Sequence, residues 1–109
     1  MSGTIGEALT QLEAVVKDRL AAGDADTSYV ASLAAKGRGK IAQKVGEEAT
    51  ETVIAALTES DAALTGEVAD LVFHLSILIA DRGLSWSDIA AELDRRHGTS
   101  GHAEKAARQ

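Results

Sequence analysis

Apolar residues recur along most of this 109-residue chain with the three-to-four-residue step of an amphipathic helix. Ile5, Ala8, Leu9, Leu12, Val15, Val16 and Leu20 form the first such stripe, and Thr4-Ile-Gly-Glu7 ahead of it has the form of a capping box. Ala22-Gly-Asp-Ala-Asp26 interrupts the period and reads as a loop. Residues 28–35 predict a second, shorter helix, ended by Gly37 and Gly39. A third helix is predicted over about 40–58, with Ile41, Val45, Ala49, Thr52, Val53 and Ala56 as its core stripe. Ser60 or Asp61 can cap a fourth helix that reaches Arg82 and stops at Gly83. Ser85-Trp-Ser-Asp88 is a second capping box. The last helix ends in Asp94-Arg-Arg-His97, where cations complement the helix dipole. From Thr99 onward no apolar period remains, and the tail 99–109 is expected to be disordered.

The fourth helix departs from the amphipathic pattern. From 71 to 80 it is apolar almost all round, so it has to be covered on several sides. Four or five short helices can hardly cover it alone, and a homodimer is therefore expected. The same apolar run is too short to span a bilayer.

Composition narrows the picture further. The absence of Pro, one residue each of Trp, Tyr and Phe, and abundant Ala, Leu and Glu favour an all-α domain, taken here as residues 1–98. A chain of this length supports one small core. Without Cys, neither a disulfide framework nor a thiolate metal site is available. The segment Met1-Ser-Gly-Thr-Ile-Gly-Glu7 does not read as a signal peptide, and a cytoplasmic protein without a membrane partner is expected. A net charge of −6 argues against nucleic acid as the main partner. A nucleotide stays open, because a bound divalent cation reverses the local sign.

The candidate chemistry lies in two acidic pairs, Glu48-x-x-Glu51 and Glu67-x-x-Asp70, with Glu47 directly beside the first. Residues three apart project from nearly the same side of a helix. If the third and fourth helices pack antiparallel, the four carboxylates converge. Like charges at this spacing repel by about 0.2–0.5 kcal/mol per pair, so helix stability does not explain them. The plain alternative is two solvated acidic faces. Against it, each pair borders the apolar stripe of its helix. Oxygen-only ligands suit Mg²⁺, with Mn²⁺ as a substitute, and bound Mg²⁺ recruits substrate phosphates.

Lys36, Arg38, Lys40 and Lys44 lead into the acidic cluster and are candidates for phosphate contact. Lys ahead of Glu at i,i+4, as in Lys44–Glu48, is the less favourable order for a helical ion pair, so phosphate contact competes evenly with simple charge pairing. A lone His on a buried face is more often a hydrogen-bonded core residue than a ligand, and His74 is read that way first. Tyr29 and His74 are kept as candidate substrate contacts, whereas Trp86 reads as packing.

The stretch Ser28-Tyr-Val-Ala-Ser-Leu33, then Lys36-Gly37, then Ile41-Ala-Gln-Lys-Val-Gly-Glu-Glu-Ala-Thr-Glu-Thr-Val-Ile-Ala-Ala56 resembles the phosphoribosyl-ATP pyrophosphohydrolases of histidine biosynthesis. Glu67-Val-Ala-Asp-Leu-Val-Phe-His-Leu75, Arg82-Gly-Leu-Ser85, Ala91-Glu-Leu93 and Arg95-Arg-His97 continue the match, which covers roughly residues 5 to 98. The bare Glu-Glu-x-x-Glu…Glu-x-x-Asp frame is shared with the wider MazG-like superfamily of α-helical nucleoside triphosphate pyrophosphatases. One departure is Phe73, where many relatives carry Tyr. Nothing in the chain resembles the cyclohydrolase domain to which such enzymes are sometimes fused.

The resemblance implies an all-α, four- to five-helix MazG-like bundle completed by homodimerisation. It implies a Mg²⁺-dependent hydrolase that cleaves phosphoribosyl-ATP between its α and β phosphates, giving phosphoribosyl-AMP and pyrophosphate. Glu48, Glu51, Glu67 and Asp70 are expected to hold the metal, and Glu47 to orient or deprotonate the attacking water. The competing readings are a house-cleaning pyrophosphatase for non-standard nucleotides and a non-catalytic helical dimerisation module.

Overall fold

A computed structural model describes residues 3–97, and these form five helices with no strand among the described residues. They are α1 (Ile5–Ala22), α2 (Tyr29–Ala35), α3 (Arg38–Thr58), α4 (Asp61–Asp81) and α5 (Trp86–Arg96). The all-α expectation holds, and the expected tail falls outside the described residues. Three of the starts are set by serines, as their sequences suggest. Ser28, Ser60 and Ser85 each accept a hydrogen bond from a backbone N–H three residues on. Ser85 and Asp88 form a full capping box. At Thr4 only half of the box exists: Thr4 Oγ1 accepts from Glu7 N and donates to the Glu7 carboxylate, without a return bond from the Thr4 amide.

One boundary differs in part from expectation. Gly37 does end α2, following its C-cap Lys36 with φ 98° and donating to Ala34 O at 3.0 Å, but it is also the N-cap of α3, so that Gly39 lies inside the first turn of α3. The left-handed backbone at Gly37 lets the chain leave α2 at Lys36 and re-enter helix almost at once.

The antiparallel pair α3–α4 is the spine of the molecule, joined by the short link Glu59–Ser60. Here α1 packs along α4, α2 bridges α1 and α3, and α5 rests on α1. Val16, Val30, Leu33, Ile41 and Ile77 form the buried core, with Leu12, Leu20, Phe73, Leu78 and Ala80 packed around it. Trp86 ties α5 down by donating from Nε1 to Ser76 Oγ (2.9 Å) and from its backbone N–H to Glu13 Oε1 (2.7 Å).

The core line of α3 matches only part of the stripe expected from its apolar residues. Ile41, Glu48 and Ala55 are the buried positions and Val45, Ala49 and Thr52 are half-buried, while Val53 is exposed and Ala56 faces outward. Residues seven apart drift by only about 20° on a helix, so these three lie on one line against α4. A charge in the middle of that line hides it from a search for apolar periodicity.

The apolar part of α4 sits within a 21-residue helix, which by length and composition alone is enough to cross a membrane. It carries Glu67 and Asp70 within that length, and a soluble core helix passes the same test. His74, Ser76 and Ile77 are buried, and the rest of 71–80 is only half-covered within one chain.

Candidate active site

Antiparallel packing of α3 against α4 sets the two acidic pairs opposite each other. Glu48, Glu67 and Asp70 each bring a carboxylate oxygen to within 4.8 Å of the others. Glu51 lies one turn on from Glu48 and lines the hollow beside Glu67, where its like charge bears on both. The structure thus clusters three of the four residues that the sequence singled out and sets the fourth, Glu51, at their edge.

Glu48 is the deepest of them, at 7% exposure. Its Oε1 lies 3.8 Å from Lys44 Nζ, whereas Oε2 is buried without a hydrogen-bond partner. Burial first, and then contact with the Glu51 carboxyl, hold the Glu48 carboxyl above the ordinary carboxylate range. Glu67 is pushed the same way by desolvation and by Glu51. Leaving a buried carboxylate oxygen unmatched costs stability, and no protein donor relieves it here. An all-oxygen donor set around such an atom fits a hard divalent cation. Thiolate or imidazole coordination is not offered: His74 turns both ring nitrogens to protein atoms, with Nδ1 2.8 Å from Asp70 O and Nε2 2.7 Å from Tyr29 Oη.

Glu47 stands about 100° round the helix from Glu48, outside the cluster. Its carboxylate accepts from Gln43 Nε2 (2.8 Å) and Lys44 Nζ (3.3 Å), and the Gln43 bond followed by that of Lys44 lowers its proton affinity. Lys44 is the cation at the cluster itself, bridging Glu47 and Glu48, and its contact with Glu47 strengthens its hold on the proton. Lys40 reaches Gln43 Oε1 at 3.5 Å, one turn further from the carboxylates. Lys36 is the C-cap of α2, two residues before Arg38.

Arg38 is placed differently from the expectation that it joins them. Its Nε donates to Asp81 Oδ2 at 2.6 Å and its Nη2 to Asp81 O at 3.3 Å, so it closes the far end of the α3–α4 pair. Ten residues of helix separate it from Glu48, about 15 Å along the axis.

Two open hollows flank Glu51. One, of about 310 Å³, is lined by Glu51, Ile54, Glu59 and Glu67. The other, of about 500 Å³, lies over Gln43, Gly46, Glu47, Thr50 and Glu51. The link from Tyr29 through His74 to the backbone of Asp70 has no sequence signal that spacing reveals, because the partners are 45 residues apart. Phe73 contributes to it by packing: its ring stacks on Tyr29 at 6.1 Å and meets His74 edge-on at 5.2 Å.

Residues 9–97 match the family model for phosphoribosyl-ATP pyrophosphohydrolase. A phosphoribosyl-ATP pyrophosphatase of Sphingopyxis alaskensis is 75% identical over 108 residues, covering 99% of this chain and 99% of the relative. Proteins of the same name from Rhizorhabdus wittichii and Zymomonas mobilis are 59% and 56% identical. They cover 99% and 94% of this chain, and 97% and 94% of their own lengths.

Proposed function

The chain belongs to the phosphoribosyl-ATP pyrophosphohydrolase family, and from that premise we propose how its site carries out the reaction. The protein hydrolyses phosphoribosyl-ATP to phosphoribosyl-AMP and pyrophosphate, the second step of histidine biosynthesis. The observation that carries the mechanism is the buried, partnerless Oε2 of Glu48 clustered with the carboxylates of Glu67 and Asp70.

Glu48, Glu51, Glu67 and Asp70 hold Mg²⁺, or Mn²⁺ in its place. When bound, the cation neutralises charge on the phosphate oxygens and lowers the cost of generating a nucleophile from water. Lys44 lies against the carboxylates and would take a phosphate oxygen on turning away from Glu47 and Glu48. Lys40 and Lys36 extend the cationic rim for the rest of the polyphosphate. Arg38 fixes the end of the α3–α4 hairpin and is left out of the phosphate set. Glu47 orients the attacking water and receives its proton; the Gln43 bond, the larger cause of its lowered proton affinity, keeps the carboxylate in place, and the lesser one is released once Lys44 has turned to the substrate.

The working unit is a homodimer in the cytoplasm. Support for the second chain comes from Val53, Ile54 and Leu57 on α3 and Val68 on α4, all exposed in one chain, with Leu57 at 79%. Unpaired apolar area on this scale is typical of an interface.

Incubation with Mg²⁺ and either phosphoribosyl-ATP or a panel of nucleoside triphosphates tests the assignment. Pyrophosphate released chiefly from phosphoribosyl-ATP is the expected result. Preferential turnover of ordinary or non-standard nucleotides would overturn the substrate, and no pyrophosphate from any of them would leave a dimerisation module.

A further inference from the structure

We propose that Tyr29 is a specificity-determining residue that reads a sugar hydroxyl next to the reacting phosphates, and that His74 fixes it in an acceptor-only state. The inference rests on the reading of the carboxylate cluster given above.

Tyr29 is the first residue of α2 and, although aromatic, is 49% exposed. Its ring is not free to swing. Phe73 stacks on it, His74 meets it edge-on at 5.6 Å, and its hydroxyl lies 2.7 Å from His74 Nε2. His74 is itself buried at 6% exposure. The Asp70 backbone carbonyl, 2.8 Å from Nδ1, can only accept, so the Nδ1 nitrogen carries the ring hydrogen. In the neutral ring Nε2 is then an acceptor, and the single phenolic hydrogen of Tyr29 is directed inward to it. What Tyr29 shows to solvent is oxygen lone pairs above an aromatic face.

Position supplies the other half of the argument. Tyr29 is tied through the His74 ring, by contacts of 2.7 and 2.8 Å, to the backbone of Asp70, whose carboxylate belongs to the cluster with Glu48 and Glu67. The Tyr29 oxygen therefore lies on the Asp70 side of the carboxylate cluster. A phosphate oxygen has no hydrogen to give to an acceptor-only phenol, and the two would repel. The substrate group that fits against Tyr29 must carry an O–H donor and sit beside a phosphate. A ribose hydroxyl meets both conditions. Phosphoribosyl-ATP holds two such sugars, the adenosine ribose and the phosphoribosyl group, and the chemistry is the same for either.

The test is a cycle of enzyme and substrate changes. Tyr29→Phe removes one oxygen and keeps the ring that Phe73 and His74 pack against. Against the full substrate with Mg²⁺, the variant should lose about three- to tenfold in kcat/KM, mostly through KM, as for one neutral hydrogen bond. Wild type should lose a similar factor on a substrate lacking the relevant hydroxyl, and Tyr29→Phe on that substrate should lose nothing further. Deoxy substitution on the adenosine sugar and on the phosphoribosyl sugar, tested separately, tells which one is read.

Unchanged kcat/KM in the variant would overturn the proposal. So would an equal loss on every substrate with a fall in kcat, since that would make Tyr29 a support for the Asp70 backbone through His74. Binding of ATP against 2′-deoxy-ATP and 3′-deoxy-ATP, with Mg²⁺, separates this inference from the proposed function. If phosphoribosyl-ATP is not turned over but Tyr29→Phe still erases a preference for a hydroxyl in ATP, the function falls and the role of Tyr29 stands. If binding and turnover are both indifferent to the hydroxyl in wild type, the role of Tyr29 falls.

Discussion

Replacing Glu48 by Gln should make the metal-free protein more stable while removing its activity. The side chain is buried on the core line of α3, with one oxygen unpartnered and the other 3.8 Å from Lys44. An unsatisfied buried polar atom costs about 1–3 kcal/mol, and more when charged. The pairing with Lys44 that the amide gives up is worth about 0–1 kcal/mol at this distance and exposure. A neutral amide also escapes the repulsion of the neighbouring carboxylates, so the balance favours the variant by about 1–2 kcal/mol. For a domain of this size that corresponds to a rise of about 5–10 °C in Tm. The assay is thermal unfolding in chelator at pH 7.5, with and without added Mg²⁺. Adding Mg²⁺ should raise Tm in wild type by linkage and leave Glu48→Gln nearly unmoved. The pH dependence has a definite sign. Glu48 and Glu67 bind protons more tightly folded than unfolded, so their repulsive cost is present at neutral pH. It is relieved as pH falls through the folded values toward the unfolded value of about 4.3. Wild type in chelator should therefore gain stability as pH is lowered from neutral toward about 5, and the variant should gain less. A clear drop in Tm for Glu48→Gln in chelator would refute the reasoning and make Glu48 a structural partner.

Gly46→Ala should stabilise the protein by about 0.5–1 kcal/mol, because Gly46 is mid-helix and an added Cβ meets nothing within 4 Å; a lower urea midpoint would contradict it. Ser76→Ala should cost about 1–3 kcal/mol in denaturant unfolding, since it strands Trp86 Nε1 and loosens α5, and a loss under about 0.5 kcal/mol would show that water replaces the hydroxyl. The hydrogen bonds from Arg95 and then Arg96 lower the Glu92 carboxyl to about 2, so its contribution is present above the unfolded value and lost as pH falls from about 4.5 toward 2. Acid titrations monitored by helical circular dichroism should show Glu92→Gln losing less stability than wild type across that window, and parallel curves would contradict it.

Much of this fold was legible because its helices announce themselves at their ends. Ser28, Ser60 and Ser85 cap where their positions ahead of apolar runs suggest. The acidic pairs were legible because spacing on a helix and antiparallel packing leave few other places for them to point. The failures also have physical causes. Glu48 occupies a core position, so the true inward line of α3 does not appear as an apolar stripe. Gly37 ends α2 as expected, but its positive φ also starts α3 at once, so Gly39 falls inside a helix where a stop was expected. Arg38 lies near the acidic cluster in sequence, but α3 carries it a full ten residues away and gives it Asp81. The Tyr29–His74 contact joins α2 to α4 and depends on tertiary packing that no local pattern encodes.

The central claim is that the carboxylates of α3 and α4 act through a divalent cation to release pyrophosphate. It is tested most directly by stripping the wild-type protein with chelator, adding phosphoribosyl-ATP, and measuring pyrophosphate as Mg²⁺ is titrated back. The account predicts no product in chelator, recovery with Mg²⁺ or Mn²⁺, and no recovery at any metal concentration in Asp70→Asn that remains folded by circular dichroism. Undiminished pyrophosphate release by the stripped protein, or by a folded Asp70→Asn variant, would contradict it.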